Sequence, residues 1–363
     1  MRLFSGLAPQ TLMAEARQMA ITCAIALATG WVFLQIGLPA PYLMGSLFGL
    51  WIFGGLCKPA RPYLGIAKWL HVPVILGMGV LIGANFTRQT LAQASAWHIT
   101  VIAMIGITFL VSLLAYWFLH KRCGFEKKLA FLCCIPGGQV EAIALARDLV
   151  DKDYVVALFH LVRVVIVLVS TPLLLAVTEG EQAVDASNIT LQQMPGLEQM
   201  TASQIAVFAA VAIGGYFLAR LGRIPMPHLL GPMGLSTLLH MAGVIELPRI
   251  QEFVLLAQLV IGGGIGVKLA KVAFREVLGY LKLASGTALL ILASYLLVAL
   301  LIAQIGDMPF LRVWLAFVPG GLYEVTLLAL IFGLDVAFVA FHHTLRIVMI
   351  FLSMPVVIGR LQR

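Results

Sequence analysis

Hydrophobic residues along this chain fall into long unbroken runs, not into the alternating or one-faced patterns of a soluble domain. Twelve runs can be delimited: 19–38, 41–57, 68–87, 97–119, 128–147, 154–178, 202–221, 227–244, 252–270, 280–305, 310–332 and 335–359. Most approach the roughly 20 apolar residues that a helix needs to cross about 30 Å of hydrocarbon. The pattern predicts an all-α integral membrane protein with short loops. One polar stretch interrupts it, 179–200, which carries Glu179, Glu181, Asp185 and Glu198 and neither Lys nor Arg. It separates a first membrane portion, 1–178, from a second, 201–363, with six runs on each side.

Composition excludes the soluble alternatives. Of 363 residues, 61% are hydrophobic and 11% charged, and the mean hydropathy is +1.01, far outside the soluble range. The net charge of +8 comes from Lys and Arg spread singly through the loops, which predicts a topology signal and no nucleic-acid partner. The first apolar run starts near Met19 and is long enough to span, so it is expected to stay as a helix and not to be cleaved as a signal peptide. Cys23, Cys57, Cys123, Cys133 and Cys134 are odd in number and lack metal-ligand spacing; reduced thiols and no metal are expected.

The two portions repeat each other. Residues 38–45 read LPAPYLMG and residues 224–231 read IPMPHLLG, an offset of 186. Further on, IPGGQVEAIALA at 135–146 pairs with VPGGLYEVTLLA at 318–329, an offset of 183 that also aligns His160 with His343 and Arg163 with Arg346. Chance similarity between apolar stretches would align Leu and Val, not Pro, Gly, Glu, His and Arg.

Charge bias then bears on orientation. The loop after the second run holds Lys58, Arg61 and Lys68 and its counterpart only Arg249; the loop after the third holds only Arg88 and its counterpart Lys268, Lys271, Arg275 and Lys282. A bias that flips between copies needs an odd number of crossings in each. The Pro-Gly-Gly run is the candidate non-crossing element, since Pro and Gly break a helix and about ten residues on either side reach only mid-bilayer. With 128–147 re-entrant from inside and 311–332 from outside, 19 Lys/Arg fall inside and 3 outside, the remaining two being Arg163 and Arg346. Twelve full crossings would give 13 and 9. The expectation is two inverted-topology repeats, each of about five spans plus one re-entrant or broken element, with both termini cytoplasmic and the connector outside. A broken helix that crosses fully, with another element failing to span, has the same parity.

Four charged residues lie away from loops and helix ends: Glu141 and Glu324, each within about a turn of Pro-Gly-Gly, and Arg163 and Arg346, each near the middle of an apolar run. A charge at that depth costs at least ~2.5–3.5 kcal/mol, so each acid is expected to neutralise a base or to face a cavity. His160 and His343 stand three residues before the arginines, on the same helical face. The break at Gly137-Gly138 and Gly320-Gly321 would expose the N-terminus of the following helix, whose free amides favour an anion. These ten residues form the candidate solute or ion site, with Glu141 and Glu324 expected to titrate. A Glu–Arg bridge that only clamps the broken element is the structural alternative. The Pro-x-Pro-x-x-x-Gly segments are expected to shape helix entry and packing.

The paired Pro-x-Pro-x-x-x-Gly and Pro-Gly-Gly-x-x-Glu…His-x-x-Arg modules resemble the membrane AbrB-duplication family, whose members also carry the labels ammonia monooxygenase and membrane regulator of gene expression. The resemblance covers essentially the whole chain and is distinct from the small DNA-binding AbrB swapped-hairpin fold. It implies a cation–proton-antiporter or anion-transporter-like fold with inverted repeats in a bacterial inner membrane. The leading expectation is a secondary transporter, not an enzyme, that moves a small solute, anionic among the options, with protons or another cation. It would need no cofactor, its partners being the bilayer, the solute and the coupling ion, with a homodimer left open. The alternative is a membrane sensor that regulates gene expression through cytoplasmic loops such as 120–128 or 268–282. Copper-dependent oxygenation would need clustered ligands, and His342-His343 alone does not supply them.

Overall fold

The structure is a computed structural model that describes residues 9–273 and 277–361, without the side chains of 9–12, Leu91, Val140, Glu141, Pro355 and Leu361. Fifteen α-helices, and no strand among the described residues, make up the fold. They are α1 (Pro9–Gln35), α2 (Pro41–Leu56), α3 (Lys68–Gly83), α4 (Arg88–Ala94), α5 (His98–Trp117), α6 (Lys127–Cys134), α7 (Gln139–Leu149) and α8 (Asp153–Gln192). The remainder are α9 (Ala202–Leu221), α10 (Pro227–Met241), α11 (Gln251–Ala270), α12 (Leu278–Ile305), α13 (Phe310–Phe317), α14 (Leu322–Ile331) and α15 (Val336–Leu361). Among the described residues seven helical stretches are long and apolar enough to cross a membrane, including Arg88–Arg122, which takes in α4 and α5.

Two expectations about elements are corrected. Helices α2, α3 and α10 run only 15–16 residues, about 24 Å at 1.5 Å per residue, shorter than the apolar runs 41–57, 68–87 and 227–244 that predict them. The stretch 179–200 is not a plain polar linker either, because the helix breaks at Gly180 (φ 81°, ψ 179°) and a second helical segment follows to Gln192. Val184, Ser187 and Leu191 recur at helical spacing and are buried; this amphipathic stripe, hidden among acids and glutamines, makes the segment a packed helix.

The chain divides into two compact units, each drawing on both halves of the sequence. Unit 1 comprises Met1–Arg88, Pro172–Val272 and Leu330–Gly333, and its helices pack through small residues. Gly45 of α2 meets Gly30 of α1, and Gly231 of α10 meets Gly215 of α9. Gly262 and Gly266 of α11 lie on the Leu43 and Leu47 carbonyls of α2, while Gly79 and Gly83 of α3 lie on those of Leu229 and Met233 of α10. Backbones approach this closely only where no Cβ intervenes. The Pro-x-Pro segments open α2 and α10: Pro41 and Pro227 occupy the first turn, and the residue before each, Ala40 or Met226, has φ of 49° or 48°. Those motifs set helix entry and packing.

Unit 2 comprises Gln89–Thr171, Ala273–Ala329 and Leu334–Arg363 and holds both Pro-Gly-Gly breaks. Phe125, just before α6, and Lys152, just after α7, both meet Tyr280, Phe125 edge-on at 6.1 Å and Lys152 by a 3.0 Å hydrogen bond. The chain therefore enters α6 and leaves α7 at one end, as a hairpin. Helices α13 and α14 form a second hairpin, closed by a 2.7 Å ion pair between Arg312 and Asp335. The two mouths lie at opposite ends of α5. Trp97, at its start, packs on Phe338 and His342 of α15, and Phe338 also lies under the Arg312 guanidinium, 4.4 Å away. The other end of α5, about 30 Å along, leads through Phe118–Arg122 to Phe125.

Candidate functional site

In the first hairpin the break is Ile135-Pro136-Gly137-Gly138, and in the second Val318-Pro319-Gly320-Gly321. Gly138 takes φ +59°, a left-handed conformation open to glycine at little cost. The half-helices have 8, 11, 8 and 10 residues, roughly 12–17 Å each, so both breaks sit deep within the unit. Gly137 packs on the other half's long helix, where an added Cβ would lie 3.2 Å from Ile350 and 3.9 Å from Arg346 Nε. Gly320 does the same toward Val167 of α8, at 3.3 Å. Val167 and Ile350 are themselves 183 positions apart.

Each break is tied to a His–Arg pair on the helix that follows. His160 Nε2–H donates to the Leu132 carbonyl at 3.0 Å, and its Nδ1 accepts from Arg163 at 2.8 Å. His343 Nε2–H donates to the Leu315 carbonyl at 2.8 Å, and its Nδ1 accepts from Arg346 at 2.9 Å. A carbonyl can only accept and a guanidinium can only donate, so both imidazoles are held as neutral Nε2–H tautomers. His160, Arg163, His343 and Arg346 are all buried. Arg346 also donates to the Phe317 and Val318 carbonyls at 2.7 and 2.9 Å and lies within electrostatic reach of Tyr295.

The predicted Glu–Arg neutralisation is corrected for Arg346, whose partners are carbonyls and an imidazole. The cause lies in the break itself: a helix that stops at Phe317 leaves carbonyls without intrahelical donors, and they carry the negative end of the α13 dipole. A guanidinium satisfies both deficits. Glu324 instead folds back along its own helix. Its carboxylate lies against Gly321, at the N-terminus of α14, within electrostatic reach of Tyr323. The positive end of α14 is thereby occupied by the protein's own acid. Glu141 lies in the first turn of α7, and its side chain is outside the described residues.

Sequence reading missed Tyr295, which is fully buried on α12, donates from its hydroxyl to Thr108 at 2.9 Å, and lies within electrostatic reach of Arg163 and Arg346. The available signal was a lone tyrosine in the middle of an apolar run, away from its ends. His342 donates from Nδ1 to the Phe338 carbonyl and pairs through Nε2 with Thr100, with Trp97, Phe338, Phe341 and Phe317 around it. Among the described residues no group of three or more His, Cys, Asp or Glu is placed to hold a metal.

Two cavities adjoin the first hairpin. One, of about 320 Å³, is lined by residues of α5, the tip segment Cys134–Pro136 and α15. The other, of about 530 Å³, lies at the hairpin's mouth between Glu126, Asp151, Lys152 and Tyr280.

A protein-family profile described as "Transition state regulatory protein AbrB" matches residues 47–362. The chain is 22% identical over 349 residues to "Uncharacterized protein YhjN" of Bacillus subtilis (strain 168), covering 92% of this chain and 90% of that protein. It is 24% identical over 340 residues to "Putative regulator AbrB" of Escherichia coli (strain K12), covering 94% and 95%.

Proposed function

We propose, from the premise that this chain belongs to the AbrB family, that it is a multi-pass inner-membrane protein working as a secondary transporter for a small solute, coupled to protons or another cation. The observation that carries the reading is the pair of broken-helix hairpins. They enter unit 2 from opposite ends, and their tips reach the same buried region as Arg163 and Arg346. Broken helices whose ends meet at mid-depth are the device by which transporters form a solute site without a soluble domain. Contacts that recur at an offset of 183, Leu132 to His160 and Leu315 to His343, support a duplicated and inverted architecture. Exposed apolar side chains on α5 and α12, among them Ile102, Leu113, Leu289 and Leu297, suit contact with lipid. Lys121, Arg122, Lys127, Lys128 and Lys152 cluster at the mouth of the first hairpin, which the positive-inside tendency assigns to the cytoplasm. Glu324, buried at the second tip, is the group assigned to titrate with transport. No catalytic step belongs to this reading.

The test is uptake by proteoliposomes of a panel of small organic acids, amines and neutral solutes under imposed pH and sodium gradients. Wild-type vesicles should accumulate at least one solute, and Glu324→Gln should abolish coupling at an unchanged melting temperature. Folded protein that moves none of them under either gradient would overturn the transporter. The name carried by the E. coli relative favours a membrane-embedded regulator as second reading; there the phenotype would survive Glu324→Gln and depend on loops 120–128 or 268–282.

A further inference from the structure

Arg163 and Arg346 stand at equivalent positions, 183 residues apart, yet they are held differently. Arg346 is latched by the Phe317 and Val318 carbonyls and His343, with Tyr295 nearby. The counterparts of those two carbonyls are those of Cys134 and Ile135, and Arg163 bonds neither. Its guanidinium contact is to His160; its Nε–H is buried with no acceptor among the described residues, as is that of Arg346, so the difference between the two lies in the terminal nitrogens, which reach carbonyls only in Arg346. We propose that, within the transporter reading above, Arg163 is the solute-binding arginine and takes a small carboxylate, whereas Arg346 is structural.

Three considerations carry this. A guanidinium has five N–H donors, and leaving such groups buried and unbonded costs free energy that an incoming acceptor would recover. Arg163 and Arg346 lie within electrostatic reach of one another, so two like charges share one low-dielectric region and an anion relieves their repulsion. A carboxylate offers two acceptor oxygens to a planar donor set, which neither an amine nor a metal cation does. A cavity of about 320 Å³, mostly apolar and lined by neither arginine, shares the Cys134–Pro136 tip and Thr108, the acceptor of the Tyr295 hydroxyl. Around the second tip the corresponding carbonyls are sealed by Arg346.

Purified full-length protein would be titrated with sodium acetate, succinate and citrate against chloride at matched ionic strength, read by calorimetry and melting temperature. At least one carboxylate should bind and stabilise the wild type. Arg163→Gln should bind it about 30-fold or more weakly with its ligand-free melting temperature unchanged. Arg346→Gln should lower that temperature before any ligand is added. Should Arg163→Gln fail to fold, Arg163→Lys keeps the charge without the planar fork; weaker binding supports the assignment and unchanged binding overturns it. Failure of all three carboxylates to bind, or equal binding by Arg163→Gln, also overturns it. Binding without flux in proteoliposomes would leave this site standing and remove the transporter, while flux of a cation or neutral solute indifferent to Arg163→Gln would do the reverse.

Discussion

Arg346 is 1% exposed, and its charge is tolerated because the backbone around it is electrically prepared. Two helix-end carbonyls and an imidazole nitrogen, with a phenol nearby, replace the water it would otherwise hold. Arg346→Met fits the volume but removes the donor to the Phe317 carbonyl and leaves the Val318 carbonyl with only its bond from Gly320 N–H. It should cost about 3 kcal/mol or more, seen as a fall in melting temperature or loss of folded protein; an unchanged melting temperature would contradict the latch. The arginines and histidines could be found in the sequence because a charge inside an apolar run has few bland explanations. Tyr295, Thr108 and Thr100 could not, since single hydroxyls are common in apolar helices and only their neighbours reveal a role. The Glu–Arg pairing failed for Arg346 because counting formal charges ignores the partial charges that a broken helix exposes.

Both hairpins depend on breaks that only small residues can make. A Cβ at Gly321 would collide with the Glu324 carboxylate, which would have to leave its place at the start of α14. Gly321→Ala should therefore lower the melting temperature, and adding Glu324→Ala should restore part of the loss; additive effects in the double variant would show that the two residues are not in contact. The sequence located both breaks, because Pro and paired Gly are strong local signals. It left open whether the chain turns back or continues, since that depends on Phe125, Lys152 and Tyr280 meeting across more than a hundred residues. It also missed the helix beyond Gly180, whose short stripe of buried residues is diluted by acids and amides.

Opposed mouths make a directional prediction for the whole molecule. Single cysteines placed at Glu126 and Lys152 of a cysteine-free variant should react with an impermeant thiol reagent from one face of an oriented membrane, and those at Asp307 and Asp335 from the other. Labelling of Glu126 and Lys152 from different faces would contradict the hairpin. The doubled motifs made this organisation readable at low resolution, but not the partition into units, because each unit interleaves helices from both halves. Gly137 and Gly320 each rest on a long helix of the opposite half, and this has an electrical consequence. Were water to fill both mouths, the insulating layer would shrink from the full lipid thickness to the protein packed around the tips. A membrane voltage would then drop almost entirely there, and an ion passing between the tips would experience nearly the whole of it, about 2.3 kcal/mol per unit charge at 100 mV.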